Sequence, residues 1–90
     1  MKICKHCVIS GRVQGVFYRQ GTFKQATALG VTGWVRNLQN GDVECVLCGE
    51  DDAVNAICEW LKQGPPAAHV TNVAITDLPL EEFTAFTIKR

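Results

Sequence analysis

Apolar and polar positions alternate, shift to a helical spacing, and alternate again along this chain, so the pattern itself lays out the elements. Residues 3–10 (ICKHCVIS) form a β-type run that stops at Gly11. From Gln20 to Leu29 the spacing is helical, with Phe23, Ala26 and Leu29 near one face and Gly30 as terminator. Residues 31–38 (VTGWVRNL) are β-rich again. Asn40-Gly41 follows, a dipeptide that favours a hairpin. In 42–49 (DVECVLCG), Val43, Cys45 and Leu47 alternate with Glu44, Val46 and Cys48, as in a half-buried strand.

A second helix is the clearest element. Glu50, Asp51 and Asp52 place negative charge where a helix N-terminus attracts it. Val54, Ile57, Cys58 and Leu61 then fall at i, i+3, i+4 and i+7, and Gly64-Pro65-Pro66 ends the run. Two more strands are expected over 69–76 and 83–89. The order β-α-β-β-α-β plus a C-terminal strand predicts an α+β fold. It is the ferredoxin-like two-layer sandwich, an antiparallel sheet of 4–5 strands with two helices on one face. That plan hosts many unrelated functions and decides none of them.

Composition narrows the field. At 90 residues the chain is read as a single domain, 1–90. A chain of this size buries only roughly 60–65% of its unfolded surface, enough for one small core and one site at its rim. Nine Lys plus Arg balance nine Asp plus Glu. Such neutrality argues against a nucleic-acid partner, which calls for a basic face. No stretch approaches the ~20 apolar residues that span a bilayer, so no membrane partner is expected. The start, MKICKHCVIS, lacks a long apolar core and a cleavage site and reads as mature sequence. Five cysteines cannot all pair, which favours free thiols and a cytoplasmic protein. A small neutral domain is expected to be monomeric.

One segment is not explained by folding alone. GRVQGVFYRQGT (11–22) places Gly11 and Gly15, Gln14 and Arg19 between a strand and a helix. Backbone N–H groups in such a loop can converge on one anion, and the helix adds its free N–H groups and positive dipole end. The planar fork of Arg19 suits a phosphate. The spacing matches neither GxGxxG nor GxxxxGK[ST], so on spacing alone a plain glycine-bearing turn with a solvated arginine reads at least as well.

The same segment resembles the acylphosphatase signature, GxVQGVxxR ending in x-x-T. GWVRNLQNGDVE (33–44) is similar to the second signature of that family. WLKQGPPAAHVTNV (60–73) is similar to its W-x-x-x-G-P-x-x-A-x-V-x-x-V segment. The resemblance runs from about Cys4 to Ile88, with one departure: Tyr18 stands where phenylalanine is usual. It implies an enzyme that hydrolyses the carboxyl–phosphate bond of acyl phosphates, with no metal and no organic cofactor. It further implies that Arg19 binds phosphate and that the N–H groups of Gln14, Gly15, Val16, Phe17 and Tyr18 cradle its oxygens. By the same resemblance Asn37 holds the attacking water. Inorganic phosphate or sulfate is then an expected occupant. The alternative is a phosphate-binding domain without catalysis, and Asn37 separates the two, because only an enzyme must place water.

Other residues have ordinary readings beside these. Asn37 alone reads as a strand-end polar residue. Thr22 either bonds to the loop or Asn37, supporting the site with Gly11, or is a plain first-turn helix residue. Arg12 and Arg36 read as solvated, and His6 and His69 as structural.

The cysteines pose the competing hypothesis. Cys4-x-x-Cys7 and Cys45-x-x-Cys48 have zinc-ligand spacing. Both pairs lie in expected strands, however, where residues three apart point to opposite faces. If the first and third strands are antiparallel neighbours, Cys4 opposes Cys48 in the same register that sets Cys7 opposite Cys45. Opposed pairs alternate between wide and close, so at most one of these has the spacing for a bridge. The expectation is a possible disulfide between Cys4 and Cys48 on the open face, with Cys7 and Cys45 packed as small apolar groups under the helices. Cys58 reads as a helix core residue.

Overall fold

A computed structural model describes residues 1–89. In chain order it contains β1 (Lys2–Arg12), α1 (Tyr18–Leu29), β2 (Thr32–Asn37), β3 (Val43–Glu50), α2 (Asp51–Leu61), β4 (His69–Leu78) and β5 (Phe86–Ile88). The sheet order is β4-β1-β3-β2-β5. Contacts among β4, β1, β3 and β2 are antiparallel, but β5 joins β2 in parallel, so the expected antiparallel sheet is mixed at one edge.

The register follows the side-chain period of two. Cys7, Ile9, Val35, Val43, Cys45 and Leu47 face the helices and form the main core with Val54, Ile57, Cys58 and Leu61 of α2. The α2 periodicity therefore translates directly into packing. That of α1 does so only at Ala26. Its buried residues are Tyr18, Thr22 and Ala26, while Phe23 and Leu29 are exposed. The helix also begins earlier than expected, at Tyr18 rather than Gln20. Tyr18 is what rotates it: its ring packs on Trp60 with centroids 5.6 Å apart, and its hydroxyl donates to the Leu61 carbonyl at 2.6 Å. A phenol that satisfies a carbonyl at the end of α2 outweighs the weak amphipathic signal of α1.

The β2–β3 hairpin forms, but not as a two-residue turn. Five residues, 38–42, connect the strands. The Leu38 N–H donates to the Asp42 carbonyl at 2.8 Å, and the Asn40 side chain accepts from the Asp42 N–H at 3.0 Å. Gly41 has positive φ and Asn40 does not, so the paired left-handed residues of the tightest hairpin turn are missing.

The opposite side of the sheet departs most from expectation. β4 and β5 lie at opposite edges, and the link between them, 79–85, crosses the sheet. Phe83 and Leu78 pack with Trp34, Val46, Cys4 and Cys48 into a second apolar cluster. Cys4 and Cys48 form a disulfide, with Cα atoms 4.2 Å apart as in a close pair. They do not lie on an open face: they are 2% and 3% exposed, and the Glu81 N–H donates to Cys4 Sγ at 3.2 Å. The link covers them, and residues 83–85, expected as the start of the last strand, belong to it, since β5 is only Phe86–Ile88. Cys7 and Cys45 sit on the other side of the sheet and are fully buried, so the four cysteines are split between two faces. Cys7 and Cys58 have their thiols pushed far up. Thiol-to-thiol hydrogen bonding leads for both, from Cys45 and Cys7 respectively, and burial adds to it.

Candidate functional site

The β1–β4 register slips between Ser10 and Gly11, and the chain leaves the sheet after Arg12. Gly11 has φ +119°, and a side chain there would run into the backbone carbonyl of His69. Its part is thus to let β1 and β4 approach closely as the chain turns away. The loop proper spans Val13–Phe17. Gly15 takes φ +74° with open space around it, so it serves conformation rather than close packing. Phe17 also adopts a left-handed conformation, φ 65° and ψ 25°, and it is the one non-glycine residue with positive φ among the described residues. For a bulky residue this costs about 1–2 kcal/mol.

That geometry leaves a row of donors unused. α1 has no side-chain cap at its N-terminus and no acidic residue in its first turn. Its first internal bond runs from the Gly21 N–H to the Phe17 carbonyl, 3.0 Å. Among the described residues, no hydrogen bond takes up the N–H groups from Gly15 to Gln20. They are the orphan amides of a helix start extended by those of a tight loop, where an anion is favoured.

A cavity of about 230 Å³ lies here, lined by Val13, Gly15, Phe17, Tyr18, Arg19, Gln20 and Asn37. Asn37 closes β2 on the same face as Val35, since residues two apart share a side. Its Oδ1 is buried and, among the described residues, has no hydrogen-bond partner. A buried acceptor without a partner is uncommon and asks for one from outside the protein. Arg19 is half-buried and enters no ion pair among the described residues. The cavity therefore combines unused amide donors, an unpaired cation and an orphaned acceptor, with no carboxylate in its lining.

The candidates from the sequence do not all meet in the cavity. Arg19, Asn37, Gly15, Phe17 and Tyr18 share the cavity. Val16 is buried in the core beneath it. Tyr18 turns its side chain away: burial pushes its phenol far up, and the Leu61 carbonyl holds its proton. Thr22 is buried and donates to the Tyr18 carbonyl at 2.9 Å, a bond within its own helix rather than to Asn37.

Gln14 does something its sequence position did not announce. Its Nε2 donates to the carbonyls of Leu38 at 2.7 Å and Asp42 at 2.9 Å, tying the loop to the β2–β3 hairpin that carries Asn37. Both partners are backbone atoms far along the chain, so no local pattern reveals the contact. Arg36, read as solvated, is paired: its Nε donates to Glu44 Oε1 at 2.6 Å, and its guanidinium lies over Trp34. His6 lies 2.7 Å from the other Glu44 oxygen, Oε2. Arg12 is exposed, as is His69, and neither lines the cavity.

Fold and cavity together define a class: a ferredoxin-like α+β sandwich with a cavity of unused amide donors at one end of its sheet. Known proteins share this fold. The acylphosphatase family pattern matches residues 5–88. An acylphosphatase of Acaryochloris marina is 52% identical over 88 residues, spanning 98% of this chain and 95% of the relative. The solved acylphosphatase structure from Coxiella burnetii superposes with TM-score 0.94 at 45% identity, covering 98% of this chain and 93% of that one. The acylphosphatase crystal structure from Bacillus subtilis gives TM-score 0.94 at 31% identity, covering 98% and 99%. The chain belongs to the acylphosphatase family.

Proposed function

We propose that this chain, an acylphosphatase by family, hydrolyses acyl phosphates to carboxylate and inorganic phosphate without a metal, using Arg19, Asn37 and the amides of 14–18. The observation that carries this reading is the meeting, in one cavity, of the unused N–H row, unpaired Arg19 and the orphaned Asn37 Oδ1. The amides and the guanidinium bind the phosphoryl oxygens and offset charge that grows there during transfer. Asn37 Oδ1 accepts a hydrogen bond from a water and turns its lone pair toward phosphorus. The new P–O bond forms as the bond from phosphorus to the acyl oxygen breaks, and the electron pair leaves with the carboxylate.

Proton accounting is simple. The carboxylate is a weak base and leaves unprotonated. One water proton passes to a phosphoryl oxygen, because the lining holds no carboxylate, histidine or lysine to take it. Tyr18 is excluded by its raised phenol and its bond to Leu61. An amide suits the water-holding role: it accepts a proton bond without bringing a negative charge against the phosphate. The same lining offers amide and guanidinium donors and no carboxylate, so in this reading charge stabilisation comes from the protein itself.

The test is benzoyl phosphate hydrolysis in EDTA. Wild type is expected to turn over. Asn37→Ala is expected to lose about 10²–10³-fold in kcat while inorganic phosphate still inhibits it as in wild type. Phosphate binding without turnover by wild type would make this a non-catalytic binding domain. Activity that returns only with added metal would overturn the metal-free mechanism.

A further inference from the structure

The phosphate half of the substrate has a built site, but the acyl half has no enclosed pocket. One side chain stands where that half must emerge. Of the cavity's apolar residues, Val13 is 1% exposed, and Tyr18, also 1% exposed, turns its ring into the core. Phe17, by contrast, is 73% exposed. It is also the bulky residue in the left-handed region. Two unfavourable conditions thus coincide at one position, a solvated phenyl ring and a backbone conformation that glycine or asparagine would adopt more easily. Neither helps α1, whose start needs only a residue that can turn the chain. Strained positions cluster where a site requires them.

The geometry points to Phe17 as the residue that selects the acyl group, favouring acyl phosphates with an apolar, above all aromatic, acyl moiety. This rests on the acylphosphatase reading and adds the substrate's second half to it. With the phosphoryl group held by the amides and Arg19, the leaving carboxylate points out through the mouth of the cavity. An aromatic acyl group there covers the Phe17 ring and gains apolar burial and ring–ring contact. An acetyl group has too little surface to do so. The left-handed turn serves both ends of the residue: it directs the ring to the mouth and leaves the Phe17 N–H free in the donor row.

The experiment compares kcat/KM for benzoyl phosphate and acetyl phosphate in wild type, Phe17→Asn and Phe17→Leu. Asparagine tolerates the left-handed backbone but removes the apolar surface; leucine keeps apolar surface. The benzoyl-to-acetyl ratio is expected to fall about five- to ten-fold in Phe17→Asn, chiefly through KM, and to stay within about two-fold of wild type in Phe17→Leu. An unchanged ratio in Phe17→Asn overturns the proposal. So does an equal loss with both substrates, which would mean that Phe17 only shapes the loop. If wild type hydrolyses neither substrate, the acylphosphatase reading itself fails, a result distinct from a normal wild type with an unmoved ratio.

Discussion

The two sides of the sheet treat their polar groups in opposite ways, and adjacent residues of β2 show it best. Arg36 faces away from the helices and, though exposed, is paired, bonded to Glu44 and laid over Trp34. Asn37, one residue later, points to the helix side and leaves its buried Oδ1 without a partner. Glu44 is itself satisfied by both Arg36 and His6. On the far side, then, ionic groups neutralise one another, and a disulfide under a crossing link stabilises the apolar remainder. On the helix side, Arg19 and a row of amides are left open at the end of a well-packed core. Side-chain chemistry of the same kind is structural where it is paired and available for function where it is not. Charged residues alone do not locate the site; unmet bonding capacity does.

The sharpest way to break this comparison is to exchange the fates of the two arginines. Arg19→Ala is expected to lower kcat/KM for benzoyl phosphate by about 10³-fold or more, since both charge-assisted bonds and transition-state charge are lost. Arg36→Ala should stay within about two-fold. Steady-state kinetics on the two variants decides, and comparable losses would erase the distinction.

Next in size is the far side's covalent staple. Its cysteines are 44 residues apart, and removing the bridge with Cys48→Ser is expected to cost about 2–4 kcal/mol in urea unfolding, with kcat nearly intact. A large loss of kcat would show that the two sides are not separable. Tyr18→Phe restores the residue usual in the family and leaves the Leu61 carbonyl without its donor. It should destabilise by about 1–3 kcal/mol, measured the same way.

The smallest effect concerns Glu44, whose side chain is 16% exposed. Burial pushes its carboxyl up, but the bonds from His6 and Arg36 prevail and hold it below the usual range. A depressed folded value adds stability above the ordinary carboxylate pKa and loses it as pH falls through the folded one. Glu44→Gln should therefore cost about 1 kcal/mol or less near neutrality, and the gap should close on acidification. Thermal unfolding across that range would show it, and a gap that widens in acid would reverse the assignment.

Much of the fold was legible because its signals are local or periodic. The α2 stripe led directly to core residues, and the common register of Cys4–Cys48 and Cys7–Cys45 followed from topology alone. The α1 face was misread because Tyr18, ahead of the expected start, ties α1 to α2 through a hydroxyl that no hydrophobic pattern records. The lid over the disulfide was missed because Phe83 was read as the start of the last strand, whereas β5 begins at Phe86 and Phe83 belongs to the link that makes the contact. At the site, the motif indicated which residues belong together. It could not show that the Asn37 oxygen is orphaned, that Phe17 is left-handed, or that the Gln14 side chain reaches the hairpin. Those are properties of three-dimensional bonding, not of residue type.

The two hydrogen bonds from Gln14 end on carbonyl oxygens, which every residue carries. The amide is thus indifferent to which amino acids occupy 38–42 and sensitive to how many there are. The Gln14 contact therefore constrains the length of the hairpin loop, while its spelling is constrained separately, at Gly41 by positive φ and at Asn40 by the bond from the Asp42 N–H. A single inserted residue would shift the Leu38 and Asp42 oxygens out of reach of one rigid fork and cut the loop adrift from the strand that bears Asn37.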